Sequence, residues 1–233
     1  MEIKICHLLE GAKEAEGTAV IIDVYRAFST ICYLFDAGVS RVYLLGDLQK
    51  AYQMKAEDPE RILLGERGGK KCEGFDFGNS PSELKGRDLS GRTAVFTTSA
   101  GTQGIANAVH ASEIFTGSLV NASAVAKKIL SENPPVVSLV AMGFAGRTAA
   151  GEDELCAEYI RSILRGNPMK DITERCRALR ATAGAKFFDP ANAEIYPEPD
   201  FECCSVPDRF DFSVSVKTVN GIHVAMKNPP VSG

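Results

Sequence analysis

The sequence predicts an α/β protein: a three-layer α/β/α arrangement on a largely parallel sheet, with an antiparallel C-terminal extension. Two near-continuous apolar runs, TAVIIDV at 18–24 and PVVSLVAMG at 135–143, read as strands buried on both faces. Segments of helical period alternate with such runs as far as about residue 183. Near the end, SVSVKTVNGIHVAMK (213–227) centres on Asn220-Gly221, the dipeptide of a tight two-residue hairpin.

Residues 2–8 form a first strand, and 18–24 a buried one that ends in Asp23-Val24. AFSTICYLFDAG (27–38) is helical, with Phe28, Ile31, Cys32 and Phe35 on one face and Gly38 as its stop. VYLL (42–45) is a strand. Asp47 caps a helix running to about Glu57, and RILLGE (61–66) is the next strand. A long polar loop follows, GERGGKKCEGFDFGNSP at 65–81, too long to be idle in a compact domain. After it come a strand at 93–98, a helix from 101, a strand at 113–119 and a helix capped by Asn121. The strand at 135–143 precedes a helix at 151–166 with acids in its first turn, and a further helix covers about 171–183. Four prolines then interrupt the chain before the hairpin. The whole is read as one domain over residues 1–233, with a smaller C-terminal lobe from about residue 185 as the alternative.

Composition narrows the function. The net charge is −4 and no basic stripe is visible, which argues against a nucleic-acid partner. No apolar stretch approaches the ~20 residues that span a bilayer, so no membrane partner is expected. Seven cysteines, of which only Cys203 and Cys204 are adjacent and none has CxxC spacing, fit a reduced cytoplasm, and three histidines far from any cysteine cluster argue against zinc. A homodimer is the default expectation for a chain of this kind.

Ligands of open α/β sheets sit at the carboxyl ends of strands. Asp23 to Arg26, Gly65 to Arg67, Thr97 to Thr102, Asn121 and Gly143 to Asp153 all fall there. The run Thr98-Ser99-Ala100-Gly101-Thr102 opens a helix and welcomes an anion. Arg26 and Arg67 offer planar forks to phosphate or sulfonate. Asp23, Glu66, Glu152 and Asp153 place four carboxylates on the rim, an oxygen-only set that points to Mg²⁺. Arginines, a helix start and a hard cation together suggest phosphoryl chemistry on a small anionic substrate. Within the polar loop, Glu66-Arg67 and Asn79-Ser80 are expected to be two contact points joined by a mobile, lid-like Gly68–Cys72 span.

These segments resemble the 2-phosphosulfolactate phosphatase (ComB) family. The likeness rests on Asp23 to Ala27, Gly65-Glu66-Arg67, GFDFGNSP at 74–81, Thr97-Thr98 with Gly101-Thr102, GSLVNASA at 117–124 and Glu152-Asp153-x-x-Cys156-Ala157. The family pattern has Thr-Asn where this chain has Ser99-Ala100. The resemblance implies a Mg²⁺-dependent phosphatase hydrolysing (2R)-2-phospho-3-sulfolactate, a step of coenzyme M biosynthesis. It implies Asp23, Glu66, Glu152 and Asp153 around the metal, with Arg26 on the phosphoryl group. Arg67, Asn79, Ser80, Thr98, Ser99, Gly101, Thr102 and Asn121 would hold the rest of the substrate. Two other classes stay open. An isochorismatase-like cysteine hydrolase would use Cys156, with Lys127 or Lys128, behind the Asp23 strand. A non-catalytic anion-binding module would use the same polar segments without turnover.

Overall fold

The computed structural model describes residues 1–231. The chain begins β1 (Glu2–His7), α1 (Leu8–Lys13), β2 (Gly17–Ile22), α2 (Ala27–Asp36), β3 (Arg41–Leu44), α3 (Leu48–Glu57), β4 (Ile62–Arg67) and β5 (Lys70–Lys71). It continues α4 (Pro81–Leu84), β6 (Thr93–Thr97), α5 (Gly101–Asn107), β7 (Ala111–Gly117), α6 (Ala122–Glu132), β8 (Val136–Ala141) and α7 (Gly151–Leu164). It ends α8 (Ile172–Ala178), α9 (Glu198–Ser205), β9 (Ser213–Val219) and β10 (Ile222–Asn228).

The expected strands and the hairpin are present, and the period of two explains how the strands are used. In β2, Ala19 and Ile21 pack into one core while Val20 and Ile22 pack into another, so both faces are covered. In β4 and β6 the alternation repeats: Ile62, Leu64, Ala94 and Phe96 face the first core, and Leu63 and Val95 face α3. Helices α6 and α7 cover the second core. The hairpin turns at Asn220 and Gly221, both at positive φ, as a two-residue turn of this hand requires.

The sheet order is β1-β8-β2-β7-β9-β10-β3-β6-β4-β5. The C-terminal hairpin is antiparallel, as expected, but it lies at the centre of the sheet and not in a lobe of its own. It joins one parallel set (β1, β8, β2, β7) to another (β3, β6, β4). Three antiparallel pairings separate the sets, β7 with β9, β9 with β10 and β10 with β3. The two sets therefore run in opposite senses along the ladder. Their carboxyl ends do not share one common edge. Helix α2 packs into the first core, and every residue from Ala27 to Phe35 is buried. A helix apolar all round its surface belongs inside a core, and AFSTICYLF is such a sequence.

Other differences are local. The 171–183 segment is the shorter α8 followed by a 3₁₀ turn at Leu179–Ala181. Asn121 ends a 3₁₀ turn, and its Oδ1 accepts from Ser118 N at 3.1 Å without capping α6. The span expected to be a mobile lid is a tight hairpin, with Glu66 and Arg67 paired to Lys71 and Lys70. Gly68 and Gly69 supply its positive φ angles, and the face of Gly69 lies against Ile195. Among the described residues no helix is long and apolar enough to cross a membrane.

Candidate active site

Asp23 follows the last residue of β2 and is 7% exposed. Its Oδ1 accepts from Ala27 N at 3.2 Å and its carbonyl from Phe28 N at 3.0 Å, so the start of α2 holds it. No hydrogen bond is made to Oδ2 among the described residues. The face of Gly101 lies against that oxygen: a Cβ there would stand 3.1 Å from Oδ2 and 3.0 Å from the Phe28 ring. Only glycine leaves the carboxylate this room. Burial pushes the Asp23 pKa up to about 6, and the charges of Glu66 and Glu152 add to the rise.

The first turn of α7 brings the next two acids. Asp153 accepts from Val24 N at 2.8 Å through Oδ1 and from Gly143 N at 2.7 Å through Oδ2. It ties the end of β2 to the end of β8, and both oxygens are engaged. Burial raises its pKa, and so do the charges of Asp23 and Glu152. Glu152 is 4% exposed and its Oε2 is buried without a partner. Its Oε1 lies 3.8 Å from Lys186 Nζ. Burial raises its pKa, and Lys186 opposes the rise.

Glu66 closes the opposite wall. Its Oε1 accepts from Ser99 N at 2.7 Å, and its Oε2 from Gly69 N at 2.7 Å and Ser99 Oγ at 3.2 Å. It braces the 66–71 hairpin against the turn after β6. Arg67 points away from Asp23. Its guanidinium donates to Glu66 O, Gly46 O and Thr97 Oγ1 at 2.6–2.7 Å and lines a neighbouring cleft.

The remaining expected residues divide in the same way. Arg26, Asn79, Thr98 and Ser99 line a cleft of about 270 Å³ together with Asp23 and Glu66. Ser80 donates to Asp200 at 2.8 Å, and Thr102 donates to Thr98 O at 2.8 Å; neither lines that cleft. Asn121 is buried in its 3₁₀ turn and is likewise absent from the cleft. A second cleft of about 310 Å³ adjoins the first through Asp23, Tyr25, Gly143 and Phe144, and is lined by Glu152, Asp153 and Lys186.

Sequence reasoning missed the cover of this site. Asp200, fully buried in α9, pairs with Arg26 Nη1 at 2.7 Å and accepts from Ser80 Oγ and Ser82 N. Tyr196 stacks on the Arg26 guanidinium at 5.0 Å. Lys186 Nζ stands 5.2–5.7 Å from the rings of Tyr25, Phe187 and Tyr196, which aim it at the acids. Nothing local marked these residues. Single charges in a proline-broken stretch have no periodicity to place them.

No three of the His, Cys, Asp and Glu side chains among the described residues gather closely enough to hold a metal by themselves. The donor chemistry nevertheless suits Mg²⁺. That ion keeps several waters and binds proteins through one or two carboxylates plus substrate phosphate. Asp23 and Glu152 are the two acids with an uncommitted oxygen. Glu66 and Asp153, expected in the same set, have both oxygens taken by loop and strand-end donors.

A thiol nucleophile has no place here. Cys156 is fully buried within α7, lines none of these clefts, and its pKa is pushed well up by burial and by Asp153. The fold and site therefore define a carboxylate-based α/β hydrolase, with its acids and anchored cations where two opposed strand sets meet. The family model described as 2-phosphosulpholactate phosphatase matches residues 4–194, and the chain belongs to that family, whose members are phosphoric monoester hydrolases. A relative in Carboxydothermus hydrogenoformans is 39% identical over 165 residues, 70% of this chain and 68% of the relative. One in Clostridium acetobutylicum is 40% identical over 184 residues, 78% and 75% of the two chains. One in Bacillus subtilis is 28% identical over 200 residues, 85% and 86%. All three carry the name probable 2-phosphosulfolactate phosphatase.

Proposed function

We propose that the protein is a Mg²⁺-dependent phosphatase that hydrolyses (2R)-2-phospho-3-sulfolactate to (2R)-3-sulfolactate and phosphate, a reaction of the coenzyme M biosynthesis type. The observation that carries the reading is Asp23. It is a buried carboxylate with its pKa raised to about 6, lining one cleft with Arg26 and Asn79. The names of the relatives supply the substrate. Cytoplasmic residence is part of the proposal, and the seven free cysteines support it.

Arg26 has five N–H donors, of which Asp200 takes one, so the guanidinium is oriented yet still able to hold phosphoryl oxygens. Asn79 accepts from Thr30 through Oδ1, which leaves its NH₂ group for the same oxygens. Asp23 and Glu152 would hold Mg²⁺, which when bound supplies positive charge to the phosphoryl group. Water adds to phosphorus, and the bond from phosphorus to the ester oxygen on C2 breaks. The electron pair stays with that oxygen, which takes a proton and becomes the hydroxyl of sulfolactate. Asp23 serves either as the base for that water or as a nucleophile whose acyl phosphate water then cleaves. Borohydride trapping during turnover distinguishes them: only the nucleophile route forms an acyl phosphate on Asp23, which is reduced to homoserine.

The test is phosphate release from 2-phosphosulfolactate and other small phosphorylated acids, with Mg²⁺ and with EDTA. Release that needs Mg²⁺ is expected. A chain that cleaves none of them under any divalent metal is not a phosphatase of this kind.

A further inference from the structure

Beside the cleft of Asp23 lies another of about 350 Å³, lined by Arg67, Gln103 and Arg147 and sharing Thr98, Ser99 and Ala145 with it. We propose that this neighbouring cleft is a second anion subsite that takes the sulfonate of the substrate, with Arg147 as the residue that sets specificity. The proposal rests on the phosphatase reading for its substrate class, and goes beyond it in assigning the cleft and Arg147.

The two clefts differ in charge. The walls around Asp23 carry both signs, Arg26 and Glu66 on one side and Lys186, Glu152 and Asp153 on the other. The walls of the neighbouring cleft carry two arginines and no carboxylate. The arginines also differ from each other. Arg67 is anchored: three of its five N–H donors are engaged by Glu66 O, Gly46 O and Thr97 Oγ1. Arg147 is exposed, and its guanidinium makes no hydrogen bond or ion pair among the described residues. An anchored cation beside a free one suits an oxyanion that arrives with the substrate.

The backbone holds Arg147 at the rim. Phe144 N donates to Thr148 O at 2.8 Å, and Arg147 N to Phe144 O at 3.1 Å. Ala145, in the left-handed region at φ 54°, turns the loop between the two clefts. The shared wall also matches the substrate. Phosphate and sulfonate are borne on adjacent carbons, so their two sites must adjoin. A metal and acids suit the group that is transferred, whereas a sulfonate that does not react needs only cations.

The experiment compares 2-phosphosulfolactate with 2-phospholactate, which has a methyl group where the sulfonate arm would be. It uses the full chain with Mg²⁺ and the variants Arg147→Ala and Arg147→Lys. The wild type is expected to prefer the sulfonated substrate in kcat/KM, and the ratio to fall by about tenfold or more in Arg147→Ala. Arg147→Lys should restore part of it, because a charge without the planar fork remains. If Arg147→Ala lowers both substrates equally, or leaves the ratio unchanged, the subsite is not there. Calorimetric titration with 3-sulfolactate and with lactate separates this proposal from the phosphatase reading. If neither phosphorylated acid is cleaved, yet sulfolactate binds about tenfold tighter than lactate only when Arg147 is present, the subsite stands and the phosphatase reading falls. If that discrimination is also missing, both fall.

Discussion

Replacing Asp23 by asparagine should abolish phosphate release and at the same time stabilise the metal-free protein at neutral pH. The carboxyl has an ordinary pKa of 3.8 and is raised to about 6 in the fold, chiefly by burial. A folded-state pKa above the unfolded one means that the folded chain holds the proton more tightly. Stability is then undiminished below about pH 4 and is lost as pH rises from there through about 6. At neutral pH Asp23 is ionised in both states, and its ionisation costs the fold at most about 3 kcal/mol, from roughly two pKa units at 1.36 kcal/mol each. Asparagine carries no charge and still offers an oxygen to Ala27 N. Urea denaturation in EDTA should show the variant about 1–3 kcal/mol more stable at about pH 7.5, with the gap closing toward pH 4. Saturating Mg²⁺ should narrow the gap at neutral pH by stabilising only the wild type. A variant no more stable than the wild type at about pH 7.5, or a gap independent of pH, would refute the claim that Asp23 is held charged at a cost.

Asp200→Ala leaves Arg26 buried without its carboxylate, so a loss of about 3–5 kcal/mol in urea denaturation is expected, with a raised KM. An unchanged denaturation midpoint would remove the pair from the account. Gly101→Ala places a methyl 3.0–3.1 Å from the Phe28 ring and Asp23 Oδ2. It should lower kcat by about tenfold or more at a stability cost of about 1–3 kcal/mol, and full activity would show that Asp23 has room to spare. Lys186→Met keeps the contact with Tyr25, Phe187 and Tyr196 but removes the charge that lowers the pKa values of Asp23 and Glu152. The acid limb of the pH–rate profile should move to higher pH, and a stationary limb would mean that Lys186 does not act on the acids.

Local pattern was enough for most of the elements. Runs such as TAVIIDV and RILL are apolar on both faces, and a strand covered on both sides is what their composition requires. The Asn220-Gly221 turn was legible because so few residue pairs tolerate two positive φ angles. That Asp23, Arg26 and Asn79 would come to one cleft was legible in the same way, because polar side chains at strand ends in an apolar sequence stand out. What local pattern could not show were the partners of each side chain. Glu66 and Asp153 carry the same carboxylate as Asp23, but backbone amides take their oxygens, and no sequence pattern reveals that. Lys186, Tyr196 and Asp200 come from a stretch without periodicity, and only the packing of aromatic rings and a buried ion pair gives them a direction.

By itself, then, the sequence determined the strands and helices, the hairpin turn and the family, because each depends on neighbours in the chain or on short motifs. The tertiary structure alone decided that the hairpin enters the middle of the sheet. Strand order is a matter of long-range pairing, on which local propensity is silent. That insertion reverses one parallel set against the other, and Asp23 after β2, Glu66 on β4 and Ser99 after β6 nevertheless line one cleft. The polar loop at 65–81 thus reaches Asp23 across a junction of opposed strands and not along a common edge.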